Sequence, residues 1–106
     1  MIEERKVSSE KAVLIGVVTQ HQDEEQSNEY LDELEFLTLT AGGEAVKRFT
    51  QKLEMPHPKT FIGTGKLEEV HRYMQAHHIE TAIFDDELSS SQLRNIEKVL
   101  DCKGHK

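Results

Sequence analysis

Thr60-Phe-Ile-Gly-Thr-Gly-Lys-Leu-Glu-Glu69 and Ile83-Phe-Asp-Asp-Glu-Leu-Ser-Ser-Ser-Gln-Leu-Arg-Asn-Ile-Glu97 decide the fold, because each passes through a polar loop and opens a helix. In the first, glycines punctuate the chain before an amphipathic stripe of Leu67, Val70, His71 and Met74, so a helix starts near Gly65 and runs to about His77. In the second, Thr81 to Phe84 reads as a short buried strand and Asp85-Asp86-Glu87 as its polar exit. Ser89 then opens a helix with a capping box, since Gln92 stands three residues on. Leu93, Ile96 and Leu100 form the core side of that helix.

Outward from these stretches the alternation continues. Ala12 to Val18 is a nearly unbroken apolar run rich in β-branched residues, the pattern of a strand covered on both faces. After a polar loop, Ser27 caps a helix running to about Ala41, with Tyr30, Leu34, Leu37 and Ala41 on one face. Gly42-Gly43 ends it. Glu44 to Gln51 is a charged strand suited to a sheet edge. Residues 52–62 are a loop, because Pro56 and Pro58 exclude helix and central strand. The order β-α-β-α-β-α predicts the α/β class as a three-layer α/β/α unit: a short parallel sheet in the order 2-1-3, helices on both faces, and a fourth strand missing or truncated. Residues 1–11 read as a flexible lead-in, 12–103 as a single domain and 104–106 as a tail.

Charge excludes some functions. The net charge is −7, with 20 acids and 13 bases, which argues against a generic nucleic-acid or membrane-surface binder. Yet Lys47 to Lys66 carries Lys47, Arg48, Lys52, Lys59 and Lys66 against Glu54 alone, a local +4. Cys102 is the single cysteine, no apolar run approaches the ~18 residues a bilayer span needs, and Met1-Ile-Glu-Glu-Arg-Lys6 has no signal-peptide core. A cytoplasmic protein is expected.

Ligand chemistry in such a sheet gathers at the carboxyl ends of the strands. Gly63-Thr64-Gly65-Lys66 offers glycines, a helix start and a cation, a combination that suits an anion. It is neither a Walker A loop, since Thr60 and Leu67 replace the leading glycine and the Ser/Thr, nor a Rossmann fingerprint, since Glu68 replaces the third glycine. Asp85, Asp86 and Glu87 read either as oxygen ligands, as partners of Lys66 or Arg94, or as solvated acids before a helix. The six histidines show no zinc spacing, so no metal site is expected, and no catalytic constellation can be named. The basic stretch, with Phe49, His57 and Phe61 interleaved, is suited to phosphates and to stacking on RNA bases.

Both quoted stretches resemble one family, the HflX-type GTPases, whose patterns are Tyr/Phe-Ile-Gly-x-Gly-Lys-x-Glu-Glu and Phe-Asp-Asp-Glu-Leu-Ser-Pro-Ser-Gln-x-Arg-Asn-Leu-Glu. Glu33-Leu34, Ala41-Gly42-Gly43 and Thr50-Gln51-Lys52 also match, and the likeness spans roughly residues 12–102. Ser90 departs from the family's proline, the family pattern continues into a fourth strand beyond Lys103, and no GxxxxGK[ST] occurs. The resemblance therefore implies an excised N-terminal domain whose parent binds GTP and Mg²⁺ in a separate G domain, hydrolyses GTP there, associates with the large ribosomal subunit and helps split ribosomes. It implies that this domain binds and positions on rRNA and carries no cofactor or catalytic residue of its own. Gly63, Thr64, Gly65, Lys66, Lys52, Lys59 and Arg48 become the expected phosphate, nucleotide or rRNA contacts. Asp85, Asp86, Glu87, Gln92, Arg94 and Asn95 are motif residues whose role stays open. Two alternatives stand beside this: an auxiliary purine-nucleotide module at Gly63 to Lys66, and a structural domain restraining the G domain. A homodimer through an exposed sheet edge is a further expectation.

Overall fold

An apolar strand with no polar face needs cover on both sides, and the computed structural model, which describes residues 10–19 and 24–100, supplies it. β1 (Glu10–Val18) is the central strand, paired in parallel with β2 (Gly43–Lys52) on one side and β3 (Thr81–Phe84) on the other. The sheet order is β2-β1-β3, as the alternation predicts. Ala12 to Val18 are all buried. Val13, Ile15 and Val17 enter one core cluster with Phe49, Leu67, Val70, Met74 and Ile96. That face is covered by α2 (Thr64–His77) and α3 (Ser90–Leu100), which pack on each other. The opposite face of β1, where a Cβ on Gly16 would lie 3.5 Å from Leu31, is covered by α1 (Glu24–Thr40). The architecture is therefore the three-layer α/β/α expected.

The caps explain the boundaries. Gly42, at φ 94, takes the left-handed conformation that ends α1. His78 plays that part after α2 at φ 58, its N–H bonding back to Gln75. Before α3 the capping box closes reciprocally: the Ser89 N–H donates to Gln92 Oε1 at 2.9 Å and the Gln92 N–H to Ser89 Oγ at 3.1 Å.

Five local readings are corrected. Glu10 and Lys11, expected in the lead-in, are the first residues of β1, aligned with Gly43 and Glu44. The helix expected to start at Ser27 begins at Glu24, so Ser27 is no cap; it is 1% exposed against the sheet. The buried stripe of α1 is Ser27, Leu31 and Thr38, turned away from the one predicted, which leaves Tyr30 and Leu37 outside. That rotation also brings Asp32 and Glu35 to Arg48, which reaches from β2 to them at 2.6 and 2.7 Å. β3 is half-buried rather than buried, because among the described residues it has a strand on one side only. Leu93 is 47% exposed, not core; α3 turns Gln92 and Asn95 toward the loop that precedes α2, and that rotation carries Leu93 outward. Residues 1–9, 20–23 and 101–106, Cys102 among them, lie outside the described residues.

Ile15 sits at the centre of the two-sided core at 0% exposure. Ile15→Ala is expected to lower unfolding free energy by roughly 2–5 kcal/mol in urea titration. Leu39→Ala, at a side chain 65% exposed, should change it by no more than about 0.5 kcal/mol.

Candidate functional site

The loop between β2 and α2 is held by the second sequence motif. The His57 N–H donates to the Phe61 carbonyl at 2.9 Å and the Phe61 N–H to the His57 carbonyl at 2.8 Å, closing a small ring of chain. The Lys59 N–H donates to His57 Nδ1 at 3.1 Å within it. From α3, Gln92 Nε2 donates to the His57 carbonyl at 2.9 Å and Asn95 Nδ2 to the Lys59 carbonyl at 3.1 Å. Thr60 Oγ1 donates to the Ile62 carbonyl at 2.6 Å. Phe61 is left-handed at φ 68, a conformation that costs a non-glycine residue ~1–2 kcal/mol. Burial to 2% exposure and an edge-on contact with Phe84, centroids 5.5 Å apart, hold it there. The result is a fixed loop with Pro58 and Lys59 exposed at its tip, and Met55, earlier in the same loop, is 68% exposed.

The glycine-lysine stretch follows. Gly63 occupies the N-cap of α2 in extended geometry with no side-chain cap, and its own N–H is bound by Gln51 Oε1 at 2.8 Å. Gly65 is open, with nothing within 4 Å of a built Cβ, and Thr64 is exposed. Lys66 is half-buried; its Nζ lies 5.9 Å from the Phe49 ring centre and 3.5 Å from Glu69. The other expected cations are spread. Lys52 is exposed at the end of β2, Lys59 sits at the loop tip, and Arg48 lies on the α1 side, engaged by Asp32 and Glu35. Lys52, Lys59 and Lys66 thus share the strand-end region, and Arg48 does not. Phe49 and Phe61, read as stacking aromatics, are 4% and 2% exposed, so their rings serve the core instead.

The acids occupy the end of β3. The Asp85 N–H donates to the Ile15 carbonyl at 2.9 Å, extending the β1–β3 pairing, and its carboxyl sits over Gly16. A Cβ there would come within 2.7 Å of Asp85 Oδ2. A lone glycine in an apolar strand run was the available signal for this close approach. Burial, then the neighbouring Asp86, pushes the Asp85 carboxyl up to about 6. Asp85 and Asp86 line a cavity of about 420 Å³ with Val17, Thr19, Tyr30, Pro56 and Phe61. None of Gly63 to Lys66 is among these residues. Glu87 and Arg94 are exposed, and Asp86 Oδ1 accepts the Glu87 N–H at 2.7 Å. Among the described residues no group of three or more His, Cys, Asp or Glu is placed to hold a metal ion.

Two outcomes follow from this geometry. Replacing both Gln92 and Asn95 by alanine removes the two loop hydrogen bonds and the capping-box bond from the Ser89 N–H, about 1 kcal/mol each, and amide exchange at Phe61 should accelerate while that of Val13 changes little. For Asp85 the folded pKa stands above the unfolded value of 3.8, so the protonated form favours folding. Stability should therefore decline as pH rises from about 4 to about 6. Asp85→Asn should flatten that decline in chemical denaturation across the window.

Comparison with known proteins assigns the chain. Residues 28–104 match the family model described as GTP-binding GTPase N-terminal. A GTPase HflX of Flavobacterium psychrophilum is 58% identical over 97% of this chain and 25% of its own length. The GTPase HflX of Lacrimispora saccharolytica is 43% identical over 94% of the chain, and that of Escherichia coli 37% over 94%; each is matched along 23% of its length. The chain spans about a quarter of these relatives. A fixed loop, an uncapped glycine-lysine helix start and an acidic strand end on an α/β/α frame thus sit in a chain that belongs to the GTP-binding GTPase N-terminal family, in its HflX-type branch.

Proposed function

We propose that this domain binds and positions: it docks an HflX-type GTPase on RNA of the large ribosomal subunit in the cytoplasm, and so serves ribosome splitting by the parent protein. GTP and Mg²⁺ belong, in this reading, to the parent's G domain, and no step of hydrolysis is assigned to this chain. The observation that carries it is the clamped loop. Its carbonyls are held by Gln92 and Asn95, so Lys59 is presented at an exposed tip without the ordering entropy a mobile loop would lose on binding. Lys52 and Lys66 lie in the same strand-end region and extend the basic face for phosphate contact. No described helix is long and apolar enough to cross a membrane.

A second reading is supported by the start of α2. Gly63 provides no side-chain cap, so the first N–H groups of the helix remain available to an anion, which suits a weak purine-nucleotide site. Against it, none of Gly63 to Lys66 lines the cavity that Asp85 and Asp86 border, so that cavity offers no seat for a base beside them.

The chain should pellet with purified large ribosomal subunits at low salt and less at moderate salt. Charge reversal of Lys52, Lys59 and Lys66 to glutamate should abolish pelleting; unchanged pelleting would refute docking through these residues. Under the nucleotide reading, millimolar nucleotide should shift the amide resonances of Gly65 and Lys66, and silence there would remove that reading.

A further inference from the structure

Beside the clamped loop, the outer edge of the sheet carries an arrangement that no sequence motif announced. Tyr73 of α2 stands edge-on to Phe49 of β2, with ring centroids 5.6 Å apart and planes at 78°. One turn on, His77 lies over Tyr73 at 4.2 Å with planes at 35°. Lys47 of β2 places Nζ 5.8 Å from the centres of both Phe49 and Tyr73, and Lys66 places its own 5.9 Å from Phe49. Phe49 is buried, Tyr73 and Lys66 are half-buried, and Lys47 and His77 are exposed. The spacing explains the line-up: residues 66, 73 and 77 fall on one stripe of α2, and 47 and 49 on one face of β2.

Two ammonium groups thus converge on one aromatic pair at the outer side of β2, where no described strand pairs. Ring faces attract cations, which accounts for each contact singly. Among the described residues the only carboxylate bound to either is Glu69, on Lys66 at 3.5 Å, a partly exposed pair that a phosphate displaces at little loss. Alternating cations and aromatic rings along a sheet edge are what an unpaired nucleic-acid strand requires: charge for its backbone and flat faces for its bases. A duplex keeps its bases inside and offers nothing to a ring stack.

We propose that the β2–α2 edge holds an unpaired RNA segment, with a base stacked on the Tyr73–His77 pair and its phosphate between Lys47 and Lys66. This rests on the RNA-docking reading and gives it a second contact surface, separate from the loop tip. It explains why Lys47 and Tyr73, absent from both sequence motifs, are placed together.

The test is fluorescence anisotropy of the 106-residue chain with a labelled single-stranded RNA of mixed sequence and with its duplex, alongside pelleting with large subunits. Single-stranded RNA should bind more tightly than duplex. Lys47→Gln and His77→Ala change exposed positions and leave the core intact; each should weaken single-strand binding about tenfold, and Lys47→Gln should reduce the salt slope by about 0.7. Tyr73→Phe should retain affinity and Tyr73→Leu lose it. Equal affinity for the duplex, or unchanged binding in Lys47→Gln and His77→Ala, overturns the proposal while wild-type pelleting leaves subunit docking standing. If the wild-type chain fails to pellet, the docking reading falls and this surface with it.

Discussion

From Ala12 to Val18 the central strand is buried on both faces, so neither side of it can face water. A strand of that kind must be flanked by other strands and sandwiched between helices. Here β2 and β3 take the flanks, α2 and α3 take the face of Val13, Ile15 and Val17, and α1 takes the face of Gly16. Parallel pairing then brings the carboxyl ends of all three strands to one rim. Lys52, the 53–63 loop and Asp85 are neighbours for that reason, although they are far apart in the chain.

At that rim the two sequence motifs serve one object. The second motif supplies Gln92 and Asn95, and their targets are the carbonyls of His57 and Lys59, just ahead of the first motif. Phe61 is forced left-handed and retained by the core it helps to fill. Strain of this kind persists only where the surroundings over-determine it, and it marks a loop built to a shape. The acids contribute differently: Asp85 continues the β1–β3 ladder and packs its carboxyl over Gly16, and with Asp86 it lines the cavity at the end of β3.

The class, the strand order, the edge position of β2 and the capping box of α3 were legible because periodicity and turn chemistry report them directly. What was not legible depends on partners distant in sequence. The turn of α1 that buries Ser27, Leu31 and Thr38 also brings Asp32 and Glu35 to Arg48, a contact that no helical wheel contains. Leu93 faces out because Gln92 and Asn95 face the loop. Phe49 and Phe61 looked available for stacking on composition alone, and burial withdraws them. Tyr73, which drew no notice in sequence, gains its setting only when α2 is laid across β2.

The most direct test of the central claim, that the clamped rim faces ribosomal RNA, is tethered hydroxyl-radical footprinting. An iron chelate would be attached at Pro58→Cys on the loop tip, or at Glu33→Cys on the exposed side of α1, each in a Cys102→Ser background and bound to large subunits. The account predicts local rRNA strand cleavage from position 58 and little from position 33. Cleavage from position 33 alone would contradict it, because the rim would then face away from the subunit.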